Sequence, residues 1–134
     1  MGREMPEIAD AELAVLEVLW ESGAATIRQI ADRLYPDGTV AHYATVQKLL
    51  ERLESKGCVA RDRSGFAHVF SAAVAREEVI AQRLQATADK LTGGALLPLL
   101  TNLVRAGRLG PRERRELRAL MEEIDRLDEP KAGR

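Results

Sequence analysis

A chain of 134 residues is long enough for one domain, or for one small domain with an appendage. Its 46% hydrophobic and 31% charged residues are typical of a globular protein that needs no disulfides, and the one cysteine, Cys58, excludes a disulfide within the chain. A lone cysteine fits a reducing compartment. No apolar run could span a bilayer and the N-terminus lacks a signal-peptide pattern, so we expect a cytoplasmic protein without membrane insertion.

The net charge of −1 hides an uneven distribution. Residues 1–41 carry three basic and eight acidic side chains, whereas residues 42–68 carry five basic and three acidic ones, together with His42 and His68. Positive charge is therefore concentrated within 42–68, and this is where a nucleic-acid-binding surface is expected.

Two short helices are predicted first. Asp10 is expected to cap a helix over 11–21 that has one apolar stripe. Thr26 is expected to cap a second helix over 27–34, which a turn at Tyr35-Pro36-Asp37-Gly38 follows.

The stretch "HYATVQKLLERLESKG" at 42–57 predicts a third helix that Gly57 ends. Its apolar face is centred on Val46 and includes Tyr43, Leu49, Leu50 and Leu53. The opposite face carries small, polar and basic side chains, namely Ala44, Thr45, Gln47, Lys48 and Arg52.

Residues 58–63 and 67–72 predict two strands joined around Ser64-Gly65 as a hairpin. Helix, helix, helix and β-ribbon is the order of a winged helix-turn-helix. We therefore predict a mainly α chain with a small β-hairpin, in which residues 8–73 form a winged-helix DNA-binding domain.

Three more amphipathic helices are predicted over 75–91, about 96–106 and 111–127. They follow a complete small domain, so their apolar stripes need a partner surface, and self-association is the simplest source of one. Residues 74–127 are predicted to be a helical dimerisation domain, and residues 1–7 and 128–134 flexible termini. The predicted dimer contacts are Ile80, Leu84, Leu91, Leu96, Leu97, Leu100, Leu103, Leu117, Leu120, Met121 and Ile124.

The polar face of the third helix suits the major groove of DNA, which admits one α-helix. Ala44 permits close approach or contacts a thymine methyl group, and Thr45 and Gln47 can bond to base edges. Lys48 can reach guanine or phosphate.

Further basic side chains are expected to meet the DNA backbone. The predicted phosphate contacts are Arg52 and Lys56 on the helix and Arg61, Arg63 and His68 on the hairpin. Two alternatives remain open. The face could simply be solvated, or the winged helix could be a protein-interaction module without sequence-specific DNA binding, which the acidic N-terminal segment favours.

Neither a cofactor nor a metal site is predicted. His42, Cys58 and His68 lack the spacing of a zinc site, and no Gly-rich phosphate loop is present. Paired acids lie on predicted helix surfaces, so no catalytic constellation emerges and we do not expect an enzyme.

Four segments carry a family resemblance: "DAELAVLEVLWESGAATIRQIADRL", "YATVQKLLERLESKG", "GGALLPLLTNLV" and "ELRALMEEI". Together they resemble the penicillinase-repressor family of bacterial transcription regulators (BlaI, MecI and CopY type), over about residues 8–127. The resemblance implies a homodimer that binds a pseudo-palindromic TACA/TGTA-like operator and blocks transcription. The DNA-contacting positions it implies are His42, Tyr43, Ala44, Thr45, Gln47 and Lys48.

Two departures bear on specificity and induction. Some relatives have lysine at the position of Ala44 and arginine at that of Gln47, which leaves the operator sequence open. In the β-lactam branch a membrane sensor protease triggers cleavage of an Asn–Phe bond, which corresponds here to Asn102-Leu103. The alternative is an ordinary core leucine beside an exposed asparagine. The copper branch uses a C-terminal cysteine cluster that this chain lacks, so a metal input is not expected.

Overall fold

The computed structural model describes residues 5–129, and the chain divides into two compact units between Ala86 and Thr87. The predicted mainly α fold with a small β-hairpin is confirmed. The elements in chain order are α1 (Asp10–Ser22), β1 (Ala25–Thr26), α2 (Ile27–Leu34), α3 (Val40–Ser55), β2 (Val59–Asp62), β3 (Val69–Ala72), α4 (Arg76–Leu91), α5 (Leu97–Arg105) and α6 (Pro111–Asp128).

A three-stranded antiparallel sheet closes one side of the first unit, in the order β1-β3-β2. The predicted hairpin is present, with Val59 opposite Ala72 and Asp62 opposite Val69, although both strands are shorter than predicted. The strand β1 was not predicted; Ala25 pairs with Phe70. It protects the edge of β3 that would otherwise be open.

The core of the first unit forms where α1, α2 and α3 meet the sheet. Each helix contributes one apolar stripe, and β3 contributes Phe70 from the face turned towards the helices. The largest fully buried apolar side chains are Leu16, Leu19, Ile30, Leu50, Leu53 and Phe70. The predicted apolar face of the third helix is thus confirmed at Val46 and the three leucines of α3, whereas Tyr43 remains two-fifths exposed.

The predicted cap of α2 and the predicted stop of α3 are confirmed, whereas α3 begins at Val40 rather than at residue 42 and the cap of α1 differs. Thr26 caps α2 as predicted: its Oγ1 accepts a hydrogen bond from the Gln29 amide at 3.2 Å. Gly57 has φ of 77°, the left-handed conformation of a helix stop. The prediction that Asp10 caps α1 is wrong, because Asp10 lies inside the helix and Ala9 is the N-cap residue.

Because α1 begins one residue earlier than predicted, Glu12 takes the capping role and Asp10 has a different partner. Glu12 accepts a hydrogen bond from the Ala9 amide at 2.9 Å and so satisfies the start of α1 in place of Asp10. The Asp10 carboxylate instead pairs with Arg83 of α4, at 2.9 Å.

Trp20 ties the end of α1 to the segment that leads into α4. Its indole Nε1 donates to the Val74 carbonyl at 2.9 Å, and the guanidinium of Arg76 lies 4.7 Å from the ring centroid. Both contacts hold the chain where it leaves the sheet.

The first unit extends beyond the predicted domain boundary at 73/74. Val74 and Val79 belong to its core cluster, so the beginning of α4 packs with the winged helix. The predicted flexible ends fall largely on residues 1–4 and 130–134, outside the described residues. Within the described part, Met5 packs against the core and α6 continues to Asp128.

The second unit contains the end of α4 together with α5 and α6. Pro98 lies at the start of α5, where its missing amide costs no helical hydrogen bond. Neither α5 nor α6 has a buried residue. Within residues 5–129, no helix combines the length and apolarity needed to cross a membrane.

Candidate nucleic-acid interface

Helix α3 is held by one face and open on the other. Val46, Leu49, Leu50 and Leu53 are buried. This anchoring fixes the rotation of the helix, so the opposite side faces solvent. The exposed side chains include every predicted residue of the polar face: Ala44, Thr45, Gln47, Lys48 and Arg52.

His42 stabilises the start of α3. The amide of Thr39 donates to His42 Nδ1 at 3.0 Å, which requires that this nitrogen be unprotonated, and Thr39 Oγ1 accepts from the Ala41 amide at 3.2 Å. The imidazole also stacks on the ring of Tyr35, with 4.3 Å between centroids. His42 is therefore half-buried and positions the helix; its Nε2 remains the nitrogen suited to DNA.

The hydroxyl of Thr45 is used within the helix. Its Oγ1 donates to the Ala41 carbonyl at 3.0 Å, one turn earlier. A threonine in this arrangement keeps an acceptor lone pair and a methyl group for a ligand, but its proton is already shared. The predicted role of Thr45 as a base contact thus narrows to accepting or apolar contacts.

Lys56 lies against an internal carboxylate. Its Nζ is 2.6 Å from Oε1 of Glu12 and 2.8 Å from the carbonyl oxygen of Glu7. Glu12 is 2% exposed. Burial raises the pKa of this carboxyl, but the hydrogen bonds from Lys56 and Ala9 and the positive charges of Lys56 and Arg52 outweigh it, so the pKa lies below its usual value.

Glu54, on the last turn of α3, joins the helix to the hairpin. Its Oε1 accepts from Arg61 at 2.8 Å, while its Oε2 lies 3.8 Å from Arg63. Arg61 also lies over the ring of Phe70, 4.8 Å from the centroid, and 3.4 Å from Nδ1 of His68. Arg61 is thus largely engaged by the protein, whereas Arg63 and His68 are exposed.

Two exposed apolar residues near this surface were missed by the sequence reasoning. Phe66, in the loop between β2 and β3, is fully exposed, and Val40, the first residue of α3, is 85% exposed. The sequence did contain a signal that α3 begins at Val40, because the preceding Thr39 is a good N-cap residue.

A family model described as penicillinase repressor matches residues 8–123, most of the first unit and most of the second. The chain belongs to the penicillinase repressor family. The resemblance predicted from the four sequence segments is therefore confirmed, and the family is one of transcriptional repressors rather than enzymes.

Relatives in the penicillinase repressor family match over nearly their whole length. The penicillinase repressor of Bacillus licheniformis is 25% identical over 121 residues, which cover 90% of this chain and 94% of the relative. The transcriptional regulator BlaI of Mycobacterium tuberculosis is 29% identical over 124 residues, covering 91% and 88%. Among solved structures, the monomeric form of B. licheniformis BlaI in complex with the blaP half-operator is 25% identical, covers 56% of this chain and 90% of its own, and has a TM-score of 0.47.

In this member of the penicillinase repressor family, the predicted dimer contacts are mostly exposed. Nine of these eleven side chains, on α4, α5, α6 and the residue before α5, are between 45% and 73% exposed. Leu100 and Leu117 are intermediate. Asn102 and Leu103 both lie inside α5 and are exposed, so the peptide bond between them is helical and Leu103 is not a core residue within the chain.

The one cysteine, which the sequence analysis considered and set aside as a metal ligand, is buried. Cys58 is buried next to β2, and its Sγ is 3.9 Å from the Lys56 carbonyl oxygen. Across the part of the chain that the structure describes, no group of three or more His, Cys, Asp or Glu side chains could hold a metal ion.

Proposed function

We propose that this chain is a homodimeric repressor that inserts α3 into the major groove of a pseudo-palindromic, TACA/TGTA-like operator and blocks transcription. The observation that carries this proposal is the division of α3 into a buried apolar face and an exposed face with Gln47 and Lys48. A helix anchored in this way presents a fixed set of side chains to base edges. The repressor names of the family members support the same role.

The homodimer is supported by the second unit. Helices α5 and α6 have no buried residues, so their apolar side chains remain in contact with water. A partner that covered these side chains would gain about 25 cal/mol for each Å² of apolar surface removed from water. Leu120, Met121 and Ile124 recur at helical spacing on α6 and form a self-complementary stripe for a twofold axis. A dimer would also supply two copies of α3 for two half-sites.

Relief of repression by a membrane sensor protease is the third part of the proposal. Asn102 and Leu103 are accessible, but a protease binds extended backbone and α5 must unwind first. Glycines with positive φ lie on both sides of the helix, at Gly93, Gly94 and Gly107, where the chain changes direction at little steric cost. Mass spectrometry of the chain after induction would detect fragments that separate between Asn102 and Leu103.

Fluorescence anisotropy of the full-length protein tests the operator proposal. The labelled duplex is taken from upstream of the gene that encodes this protein, and a scrambled duplex is the control. Both are measured at about 50 and 200 mM salt, a range over which a protein that makes several phosphate contacts loses orders of magnitude in affinity. We expect tight binding to the native duplex and a steep loss with salt. Equal, weak binding to both duplexes would contradict operator recognition at that site.

One observation favours the alternative of a protein-interaction module. Lys56 and Arg61 are paired with Glu12 and Glu54, so the surface presents less unpaired positive charge than the sequence suggests. A module of this kind would dimerise but would show no salt-sensitive binding to any duplex.

A further inference from the structure

The first turn of α3 exposes apolar surface that the core does not use. Helix α3 begins at Val40, which is 85% exposed, and Ala41 and Ala44 are exposed beside it. A β-branched residue in this place gains nothing in helix propensity over alanine. Val40 also leaves an apolar side chain in water, so its role is expected in contacts with a ligand rather than in the core.

Thr45 extends the same apolar surface. Because its hydroxyl proton is shared with the Ala41 carbonyl at 3.0 Å, its methyl group becomes the part of the side chain available for new contacts. The side chain that looks polar in the sequence is therefore partly apolar towards a ligand.

These side chains are contiguous on the helix. At 100° per residue, Val40 and Ala44 are separated by about 40° around the axis and roughly 6 Å along it. Ala41 and Thr45 lie about 100° and 140° round the axis from Val40, so Thr45 stands at the edge of this surface. Gln47 and Lys48 follow one turn later, so the exposed face changes from apolar to polar along its length.

The major groove offers one apolar group on its base edges, the C5-methyl group of thymine. We propose that Val40, Ala41, Ala44 and the methyl group of Thr45 form a thymine-methyl reader at the leading end of α3. Gln47 and Lys48 then supply the hydrogen bonds deeper in the site. This inference rests on the proposed operator binding and specifies how part of the operator is read.

The strip is small and ends at polar residues, which suits two or three methyl groups rather than a protein partner. A protein interface needs about 800 Å² from each side. Four small or medium side chains on one and a half turns cannot provide this.

Replacement of thymine by deoxyuridine tests the reader, because it removes the methyl group and keeps base pairing. The probe is the duplex that the full-length protein selects from a random-sequence pool, with each thymine replaced in turn. We expect about a fourfold loss of affinity for each methyl group in contact, and about fifteenfold when both half-sites are changed. Replacements elsewhere in the duplex should change little.

Val40→Ala provides the matched change on the protein. It should weaken binding to the thymine duplex by about the same fourfold per half-site and remove the response to deoxyuridine at the position that Val40 contacts. Val40 is exposed, so a thermal melt should confirm an unchanged fold. The control is Glu51→Ala, an exposed change two turns beyond Ala44, which should shift the affinity of both duplexes equally.

The outcomes separate the two proposals. Specific binding that no deoxyuridine replacement weakens, or a Val40→Ala protein that responds to deoxyuridine as the wild type does, would overturn the methyl reader and leave the repressor intact. Failure to enrich any duplex from the pool would overturn operator binding and the reader with it.

Discussion

Removing the ammonium of Lys56 should destabilise the fold rather than weaken DNA contacts directly. In Lys56→Met the aliphatic stem remains, but the Glu12 carboxylate, 2% exposed, loses its 2.6 Å partner. Breaking a buried ion pair by removing one partner costs about 3–5 kcal/mol. Lys56 is 30% exposed and water can enter beside Glu12, so we expect about 3 kcal/mol, at the lower end of that range.

The loss should depend on pH with a defined sign. In the wild type the pKa of Glu12 is lowered, so the ion pair contributes stability above the usual carboxyl pKa and loses it as pH falls through the lowered value. In the variant, only the Ala9 amide and the charge of Arg52 still oppose the effect of burial, so the pKa of Glu12 rises relative to the wild type and the buried carboxylate destabilises the fold near neutral pH. The difference between the two proteins should therefore be larger at about pH 7 than at about pH 4.

Urea denaturation of the full-length protein at both pH values measures this difference. The double variant Glu12→Gln, Lys56→Met removes both charges and should recover much of the loss at neutral pH. Lys48→Met, an exposed lysine on the same helix, is the control and should change stability by less than about 0.5 kcal/mol. An equal deficit at both pH values, or no deficit at all, would refute the reasoning. A folded Lys56→Met protein with a shallower salt dependence of DNA binding would instead indicate a phosphate contact.

Two further predictions concern the interface and the dimer. Gln47→Ala should reduce discrimination between the selected duplex and its single-base variants by about 1–3 kcal/mol, because a good base contact is lost, whereas Arg63→Ala should weaken binding to all duplexes alike. Competition anisotropy separates these two effects. Identical competition profiles for the two variants would contradict the placement of α3 in the major groove. Leu120→Asp places a charge in the exposed stripe of α6 and should convert dimer to monomer in sedimentation velocity and reduce operator affinity; a variant that still sediments as a dimer would move the interface elsewhere.

Local pattern was sufficient for most of the fold. The Thr26 cap, the Gly57 stop and the apolar face around Val46 depend on residues within one or two turns, and each is where the sequence places it. The strand β1 could not be found in this way, because two residues carry no periodicity and Ala25 pairs with Phe70 far along the chain. Aspartate is a common N-cap residue, which is why the sequence favoured Asp10, but it is Glu12 that accepts the hydrogen bond from the Ala9 amide at the start of α1.

The sequence predicted which face of α3 is exposed, but not which of its charged side chains are paired within the protein. Periodicity placed Gln47 and Lys48 on the exposed face of α3, since only the neighbouring apolar residues were needed to find it. It could not show that Lys56 pairs with Glu12, 44 residues earlier in the chain, because only tertiary packing brings these side chains together. The exposed methyl group of Thr45 was likewise hidden, since a hydroxyl residue in a sequence looks polar.

The indole of Trp20 offers a label-free optical signal. It is the one tryptophan in the chain, and it bonds to the Val74 carbonyl beneath the guanidinium of Arg76. Tryptophan emission from the intact protein therefore arises from a single site at the exit from the sheet. Any change in the backbone there on operator binding or cleavage would alter the polarity around the ring. Intrinsic fluorescence would thus follow the proposed operator binding without an added label, wherever binding moves this part of the backbone.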